Sequence, residues 1–295
     1  MIDRCCISLT EKCNLCCRYC HFSTSGRRSN DMSPEEAEAI LTSILKYVRK
    51  QNRIFKVGLV GGGEPTLRFN LMKHVVETLE ESKNIHIYTI SNGVNISGDM
   101  LDFFYEHRES VEFCISLDGD KALNDQNRID FSGKGTYDRI LDTVSGYCER
   151  FGHKPSINCT VTPEHISESD RLIHFFSDQG YEKVTFSKLF DSDQTVDYKE
   201  FSALLEKASD FLEIRQLRKT KTYDCIQYGS LCGVGRTNIY YTAGKVYPCA
   251  RFSGISEYCI GTAYDSIEDI EFRLSSLSPC ENGQCYYEQI FSMRK

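Results

Sequence analysis

The sequence predicts an α/β fold in which a partial (β/α)6 TIM-like barrel is followed by a small cysteine-rich domain. Strand-like and helix-like segments alternate over the first two thirds of the 295 residues, which is typical of parallel strands joined by helical crossovers. Six such strands, rather than eight, indicate a barrel that does not close. After about residue 220 the chain becomes rich in Cys, Gly and Tyr. We therefore expect a barrel domain over residues 1–220 and a second domain over residues 221–295.

The predicted strands are short segments rich in apolar residues and followed by turn residues. They cover residues 5–9, 55–60, 85–90, 111–116, 156–161 and 183–187. The first helix should start after Ser33, because a serine cap, Pro34 and two glutamates form a helix-start signature, and it should reach about Arg49. A later helix is expected over about 198–218. In the second domain, TNIYYTAGKVYPC predicts a hairpin that turns at Ala243 and Gly244.

The overall composition excludes several classes of function. With 40% hydrophobic and 26% charged residues, the chain resembles an ordinary globular protein. Its formal net charge of -7 argues against a nucleic-acid partner bound through phosphate contacts. No apolar run is long enough to span a membrane, and no signal peptide is recognisable. We therefore expect a cytoplasmic protein with no membrane partner.

The chain contains 15 cysteines, and their distribution predicts metal or iron–sulfur sites. Without a secretion signal, a disulfide framework is not expected, since the cytosol keeps thiols reduced. Six cysteines lie within residues 5–20 and six within residues 225–285. The other three, Cys114, Cys148 and Cys159, lie in apolar segments and are expected to be packed core thiols.

The segment KCNLCCRYC, after the first strand, could form either of two kinds of metal site. Its cysteines form two abutting C-x-x-C pairs, whereas structural zinc sites usually take such pairs from separate loops. In the other register, Cys13-x3-Cys17-x2-Cys20 offers three thiolates and leaves Cys16 over. Three thiolates can bind three irons of a [4Fe–4S] cluster, so that the fourth iron lacks a protein ligand. An iron that lacks a protein ligand is a catalytic position.

This loop resembles the cluster-binding loop of the radical S-adenosylmethionine (radical SAM) superfamily. Cys13, Cys17 and Cys20 match the family's C-x3-C-x2-C motif, and Tyr19 matches the aromatic residue that commonly precedes the last cysteine. The resemblance implies that S-adenosyl-L-methionine binds the open iron and is cleaved to a 5′-deoxyadenosyl radical, which abstracts a substrate hydrogen. It also implies a flavodoxin- or ferredoxin-type electron donor. Cys16 is then expected to be a bystander.

Two segments at strand ends resemble cofactor-binding motifs of the same family. GGEP, with Gly62, Gly63 and Glu64, follows the second strand. Glycine there lets the backbone approach the cofactor, and the family's carbonyl groups and glutamate accept hydrogen bonds from the methionyl ammonium. SNG, with Ser91 and Asn92, ends the third strand and resembles the family's polar contacts to the ribose and methionyl groups.

A third segment, SLDGDKALNDQNR, resembles the peptide-modifying branch of the family. It starts at the end of the fourth strand and contains Ser116, Asp118 and Arg128. In that branch the serine contacts the ribose and the arginine pairs with the methionyl carboxylate. A guanidinium suits this role because it binds both carboxylate oxygens in one plane. Active sites of parallel barrels lie at this end of the strands, which is where all three segments are placed.

The second cysteine group resembles the SPASM and twitch extensions of radical SAM enzymes. CGVGRTNIYYTAGKVYPC contains their G-x4-C pattern at residues 244–249. Because no cysteine follows Cys285, the resemblance implies one auxiliary [4Fe–4S] cluster rather than two. The expected ligands are Cys232, Cys249, Cys280 and Cys285, with Cys225 as a rival to one of the last two. Cys259 is expected in the core, and a structural zinc ribbon is the alternative for the group.

Three functions remain open at this point. The first is maturation of a ribosomally made peptide (RiPP) through a thioether or carbon–carbon crosslink, which the SLDG…R pattern favours. Because Cys13 comes early, no leader-binding domain is expected before the barrel, and a separate leader-binding protein is a candidate partner. The second is dehydrogenation of a small molecule or of a protein Ser or Cys, which needs a base such as Asp191, Asp193 or a second-domain tyrosine. The third is a non-catalytic redox or metal-binding module.

Overall fold

In the computed structural model, residues 1–24, 29–189, 196–214, 233–277 and 287 are described. Within these ranges ten strands form one sheet. The first six, β1 to β6, cover Arg4–Ile7, Phe55–Leu59, Ile85–Ser91, Val111–Ser116, Ser156–Val161 and Lys183–Lys188. The other four, β7 to β10, cover Glu213–Ile214, Asn238–Thr242, Lys245–Tyr247 and Gly261–Thr262.

Helices connect the parallel strands. Labelled α1 to α10 in chain order, they cover His21–Thr24, Pro34–Val48, Phe69–Leu79, Gly98–Glu106, Lys121–Asn127, Tyr137–Phe151, Pro163–Ser167, Ser169–Asp178, Tyr198–Ala208 and Ile267–Ser275. The predicted start of α2 is confirmed: the Ser33 side chain accepts a hydrogen bond from the Glu36 N–H, and the Glu36 carboxylate accepts one from the Ser33 N–H. None of the described helices is long and apolar enough to cross a bilayer.

The sheet has the order β10-β9-β8-β1-β2-β3-β4-β5-β6-β7, and the neighbours from β1 to β7 are all parallel. The six predicted barrel strands are therefore confirmed in order and direction. The sheet is open, as expected of a partial barrel. One side of each strand packs against the helices, with Val57, Ile87, Ile115, Ile157 and Val184 all fully or nearly fully buried. Loops at the carboxyl ends of β1 to β4 carry the cysteine segment and the three motif segments.

The predicted hairpin is formed by β8 and β9, with Ala243 and Gly244 both at positive φ, 46° and 70°, in the turn. The strand β8 pairs in parallel with β1, in the register Cys6 to Tyr240. The hairpin of the cysteine-rich segment thus extends the barrel sheet at its β1 edge. This arrangement places Tyr240 and Thr242 beside the loop that follows β1.

The predicted helix over 198–218 is wrong in its second half. In the structure α9 ends at Ala208, and Glu213–Ile214 forms β7 beside Lys183 and Val184. The Ser209 side chain donates to the Glu206 carbonyl, 2.6 Å away, and so competes with the backbone hydrogen bonds that would continue the helix. Residues 215–218 of the expected helix lie outside the described residues.

Candidate functional site

The cysteine loop is fixed by backbone hydrogen bonds from two neighbouring segments. The Cys16 N–H donates to the Ile129 carbonyl at 2.8 Å, and the Arg18 N–H donates to the Asn127 carbonyl at 2.9 Å. On its other side, the Glu64 N–H donates to the Lys12 carbonyl at 2.8 Å. The loop is therefore held between the GGGEPT turn and the segment that follows α5.

Three cysteines of this loop, Cys13, Cys17 and Cys20, are half-buried. Burial raises the pKa of the Cys17 thiol to about 12, although the nearby Arg128 guanidinium opposes this, and negative charge on Cys20 and Cys13 raises it further. Burial also raises the pKa of Cys13, whose sulfur accepts hydrogen bonds from the Leu15 N–H at 3.4 Å and the Asn92 amide at 3.8 Å. Cys13 and Cys17, whose pKa values are raised by burial, ionise more readily when a cation such as a metal takes up the charge of the thiolate.

This donor set fits an iron–sulfur cluster. In a [4Fe–4S] cluster each cysteine binds a different iron, so the thiolates need not converge on one point. Among the described residues, no three His, Cys, Asp or Glu side chains are grouped as ligands of a single metal ion. The three thiols lie within one short loop, and N–H donors already point at one of the sulfurs. Cys13, Cys17 and Cys20 are thus the residues that would hold the cluster.

One buried carboxylate joins the GGGEPT turn to the SNG turn. Glu64 is 2% exposed, and it accepts hydrogen bonds from the Ser91 hydroxyl at 2.9 Å, the Asn92 N–H at 2.7 Å and the Thr66 N–H and hydroxyl. Burial raises the pKa of the Glu64 carboxyl, and these hydrogen bonds lower it. Both oxygens therefore accept hydrogen bonds from the protein, which the sequence alone did not indicate. Contact between Glu64 and a methionyl ammonium stays a prediction.

The SNG turn also reaches the cysteine loop directly. The Asn92 amide donates to the Asn14 side-chain oxygen at 2.7 Å, and the Asn92 side-chain oxygen accepts from the Val94 N–H at 2.9 Å. The Asn14 amide in turn donates to the Val94 carbonyl at 3.2 Å. These contacts place Asn92 beside Cys13, while Ser91, the preceding residue, bonds to Glu64.

The glycines of the GGGEPT turn are needed because the cysteine loop comes so close. A Cβ on Gly63 would lie 2.2 Å from the Lys12 carbonyl oxygen, and a Cβ on Gly62 would lie 2.8 Å from the Phe22 ring. A side chain at position 63 would displace the backbone of the loop. In the structure these glycines let the backbone approach the cysteine loop, while the predicted approach to a cofactor stays a prediction.

The SLDG segment and Arg128 meet Tyr19 in a buried polar group. Asp118 is fully buried, and its carboxylate accepts hydrogen bonds from the Tyr19 hydroxyl at 2.5 Å and the Thr160 N–H at 2.8 Å. The Arg128 Nη1 donates to the Tyr19 hydroxyl and lies 3.5 Å from the Asp118 carboxylate. Ser116, at the end of β4, is 7% exposed and pairs with Asn158 of β5. The structure thus brings Tyr19, Asp118 and Arg128 together next to Cys17.

Arg128 carries a free donor edge. The side chain is 6% exposed, and its Nε is buried without a hydrogen-bond partner among the described residues. Buried donors in native proteins are almost always satisfied, so an unsatisfied one on a cation calls for a missing acceptor. A carboxylate is the acceptor that fits a guanidinium edge best, because it can take two parallel N–H bonds.

A buried histidine supports Asp118 and was not found from the sequence. The Thr162 N–H donates to the His165 Nδ1 at 3.1 Å, so Nε2 carries the proton and donates to the Asp118 carbonyl at 2.7 Å. His165 is fully buried. Its place in the helix-start sequence TPEHI gave no sign of a contact with a residue 47 positions earlier.

The second cysteine group is only partly described. Cys249 follows β9 and packs, half-buried, with Cys259 beside Tyr247 and Phe252. The Cys259 thiol donates to the Gly261 carbonyl at 3.3 Å. The other proposed ligands, Cys225, Cys232, Cys280 and Cys285, and the candidate bases Asp191 and Asp193, lie outside the described residues. The auxiliary cluster therefore stays a prediction.

Tyr240 links the hairpin to the candidate cofactor turn. It is 2% exposed, and its hydroxyl accepts a hydrogen bond from the Gly62 N–H at 3.1 Å. Two residues further on, the Thr242 hydroxyl donates to the Glu11 carboxylate at 3.2 Å. Nothing in NIYYT distinguishes Tyr240 from Tyr241, because the pairing of β8 with β1 decides which ring faces the turn.

Tyr240→Phe is expected to lower the free energy of unfolding by about 1–3 kcal/mol, because it leaves the buried Gly62 N–H without an acceptor. Tyr241→Phe is the matched control: the Tyr241 hydroxyl is also buried but has no hydrogen-bond partner among the described residues. Its removal should be neutral or stabilising. Urea unfolding of both variants, followed by circular dichroism, checks this. Equal losses would contradict a specific role for Tyr240.

Comparison with known proteins agrees with this geometry. The radical SAM superfamily model matches residues 7–176, which include Cys13, Cys17 and Cys20 and the three motif segments. A cysteine-type anaerobic sulfatase-maturating enzyme of Clostridium novyi (strain NT) is 26% identical over 283 residues, covering 85% of this chain and 74% of that protein.

Two solved structures share the fold. One is native anSMEcpe with bound AdoMet and the Cp18Cys peptide, with a TM-score of 0.73, 18% identity and coverage of 97% of this chain and 86% of that chain. The other is SuiB of Streptococcus suis bound to the precursor peptide SuiA, with a TM-score of 0.74, 17% identity and coverage of 99% and 73%. The family model spans more than half of the chain, and the predicted α/β partial barrel is the fold of both structures. The chain belongs to the radical SAM superfamily.

Proposed function

We propose that the chain uses Cys13, Cys17 and Cys20 to hold a [4Fe–4S] cluster, binds S-adenosylmethionine beside it, and abstracts hydrogen from a peptide or protein substrate. When bound, the cluster would supply the electron for reductive cleavage of S-adenosylmethionine to methionine and a 5′-deoxyadenosyl radical, which becomes 5′-deoxyadenosine by taking a hydrogen from the substrate. The observation that carries the proposal is the buried Arg128 guanidinium, whose charge acts on the Cys17 thiol and whose Nε has no hydrogen-bond partner among the described residues. Such an edge fits a carboxylate.

The chain's own residues bind and orient the cofactor in this proposal. Arg128 pairs with the methionyl carboxylate, and Asp118 balances its charge from 3.5 Å away. Gly62, Gly63 and Glu64 shape the turn beside the cluster loop, while Ser91, Asn92 and Ser116 supply polar groups at the strand ends for the ribose and methionyl groups. Tyr19 ties the cluster loop to Asp118 and Arg128.

A peptide or protein is the substrate class that the relatives support. The Clostridium novyi relative is a sulfatase-maturating enzyme, and both solved structures hold a peptide. Within this class two reactions are open. One is crosslinking of a ribosomally made peptide through a thioether or carbon–carbon bond, and the other is oxidation of a protein Cys or Ser, as a sulfatase-maturating enzyme would carry out.

The partners follow from this chemistry. The proposal includes a flavodoxin- or ferredoxin-type electron donor for the first cluster, and a separate leader-binding protein if the substrate is a precursor peptide. It also includes one auxiliary [4Fe–4S] cluster, with Cys249 as a ligand together with Cys232 and the pair Cys280 and Cys285, for one of which Cys225 is an alternative. Half-burial of Cys249 among aromatic side chains is compatible with such a site.

The proposed substrate class is tested by anaerobic incubation of the reconstituted protein with S-adenosylmethionine, dithionite and two sets of peptides, followed by mass spectrometry. One set consists of sulfatase-derived peptides with a target Cys or Ser, and the other of cysteine-rich precursor peptides. Formation of an aldehyde in the first set would establish the sulfatase-maturating reaction. In the second set, a peptide that has lost two hydrogens and gained a covalent bond between two of its own residues would establish crosslinking. Release of 5′-deoxyadenosine with a small molecule alone, and no change in any peptide, would contradict the proposed substrate class.

A further inference from the structure

Tyr19 lies between two oppositely charged buried side chains. Its hydroxyl donates to the Asp118 carboxylate at 2.5 Å and accepts from the Arg128 Nη1. Asp118 and Arg128 do not form a two-bond pair with each other, because their closest approach is the 3.5 Å contact between Nη1 and the Asp118 Oδ2. The Tyr19 hydroxyl therefore bridges the two groups: it accepts a hydrogen bond from the guanidinium and donates one to the carboxylate.

This arrangement leaves one edge of the guanidinium open. Arg128 Nη1 is occupied by Tyr19, whereas Nε and Nη2 make no hydrogen bond with the described residues. Those two atoms form the edge that binds a carboxylate through two parallel bonds. With Arg128 only 6% exposed, a ligand at this edge would be bound away from bulk water, where such bonds are strongest.

Without the hydroxyl, the same charges would pair differently. An arginine and a carboxylate at this distance favour a direct bidentate pair, since burial makes any unpaired charge costly. Forming that pair would require the guanidinium to turn towards Asp118, and it would use donors that now face the open edge. A phenylalanine ring at position 19 would keep the packing but would no longer separate the two groups.

We propose that the Tyr19 hydroxyl is a positioning group that holds Arg128 off Asp118 and thereby keeps its Nε–Nη2 edge free for the carboxylate of S-adenosylmethionine. This inference rests on the proposed function, in which Arg128 binds that carboxylate.

The test compares S-adenosylmethionine with its decarboxylated analogue, which lacks the group that Arg128 would bind. Equilibrium binding to the anaerobically reconstituted holoprotein is measured for wild type and for Tyr19→Phe, with iron content and visible absorbance as checks of cluster loading. Tyr19→Phe should raise the Kd for S-adenosylmethionine by about tenfold, the effect of losing one hydrogen bond to a charged group. The Kd for the decarboxylated analogue should stay unchanged.

Two further variants separate positioning from a general structural role. Tyr241→Phe removes another buried hydroxyl and should change neither Kd. Adding Asp118→Asn to Tyr19→Phe removes the competing charge and should recover part of the lost affinity for S-adenosylmethionine. Equal weakening of both ligands in Tyr19→Phe, or no weakening of either, would overturn the inference. If wild type binds neither compound, the proposed function itself fails, and that outcome is distinguishable from failure of the role of Tyr19.

Discussion

Cys17→Ala is expected to abolish release of 5′-deoxyadenosine and to remove the iron held by the cysteine loop. In the register Cys13-x3-Cys17-x2-Cys20, Cys17 is the central ligand, and a three-thiolate site that loses one thiolate leaves two irons without protein ligands. Negative charge on Cys20 and Cys13 raises the pKa of the Cys17 thiol, so a cation bound by the three sulfurs would favour their ionised form. Iron and sulfide analysis of anaerobically reconstituted protein, together with chromatography of the nucleoside products, measures both effects.

Cys16→Ala is the matched control, because Cys16 is the neighbouring residue and is also half-buried. Its N–H bond to the Ile129 carbonyl belongs to the backbone and survives the substitution. Turnover should stay within about twofold of wild type, since removal of a cysteine thiol outside the ligand set costs little. The opposite pattern, in which Cys16→Ala is inactive and Cys17→Ala is active, would show that the ligand register is wrong.

Arg128→Ala is expected to have the second largest effect, on both binding and stability. It leaves the fully buried Asp118 carboxylate without its nearest cation, which costs about 3–5 kcal/mol of folding free energy. Binding of S-adenosylmethionine should weaken by at least about 100-fold, since truncating one side of a buried charge pair typically costs 2–5 kcal/mol. Arg128→Lys keeps the positive charge but loses the planar pair of donors that binds both carboxylate oxygens. This variant should therefore fold, and it should bind S-adenosylmethionine about tenfold more weakly than wild type.

Arg171→Ala is the matched control for Arg128→Ala, because Arg171 also pairs with an aspartate of the SLDG segment. Arg171 pairs with Asp120 at 2.6 Å, two residues beyond Asp118, but the Arg171 side chain is 46% exposed. A surface ion pair contributes about 0–1 kcal/mol, so thermal stability and S-adenosylmethionine binding should both stay close to wild type. Calorimetric titration and thermal unfolding of the three variants give both quantities. Similar losses in Arg128→Lys and Arg171→Ala would contradict a binding role for Arg128.

Much of the barrel could be predicted because its strands are short apolar runs separated by amphipathic helices. Strand ends differ by at most a few residues, as for β1, which ends at Ile7 rather than residue 9. The end of α9 was missed because the apolar spacing continues beyond Ala208, while the competing Ser209 side-chain bond is visible only in three dimensions. The parallel pairing of β8 with β1 joins residues more than 230 positions apart, which local patterns do not report.

The site shows the same division. Motif spacing singled out Tyr19, Glu64, Asp118 and Arg128, since each is part of a short, recognisable segment. It did not show that Glu64 accepts four hydrogen bonds within the protein, or that the Tyr19 hydroxyl separates Asp118 from Arg128. Those contacts join loops from different strands, so they depend on the order of strands in the sheet. Tyr240 and His165 were missed for the same reason.

The central claim is that the loop of Cys13, Cys17 and Cys20 holds a cluster that cleaves S-adenosylmethionine. The most direct measurement is the amount of 5′-deoxyadenosine released after anaerobic reconstitution with iron and sulfide and addition of dithionite and S-adenosylmethionine. A brown protein that releases 5′-deoxyadenosine only when both reagents are present is the predicted result. A protein that takes up no iron, or that binds iron in full and releases none of the nucleoside, would contradict the account.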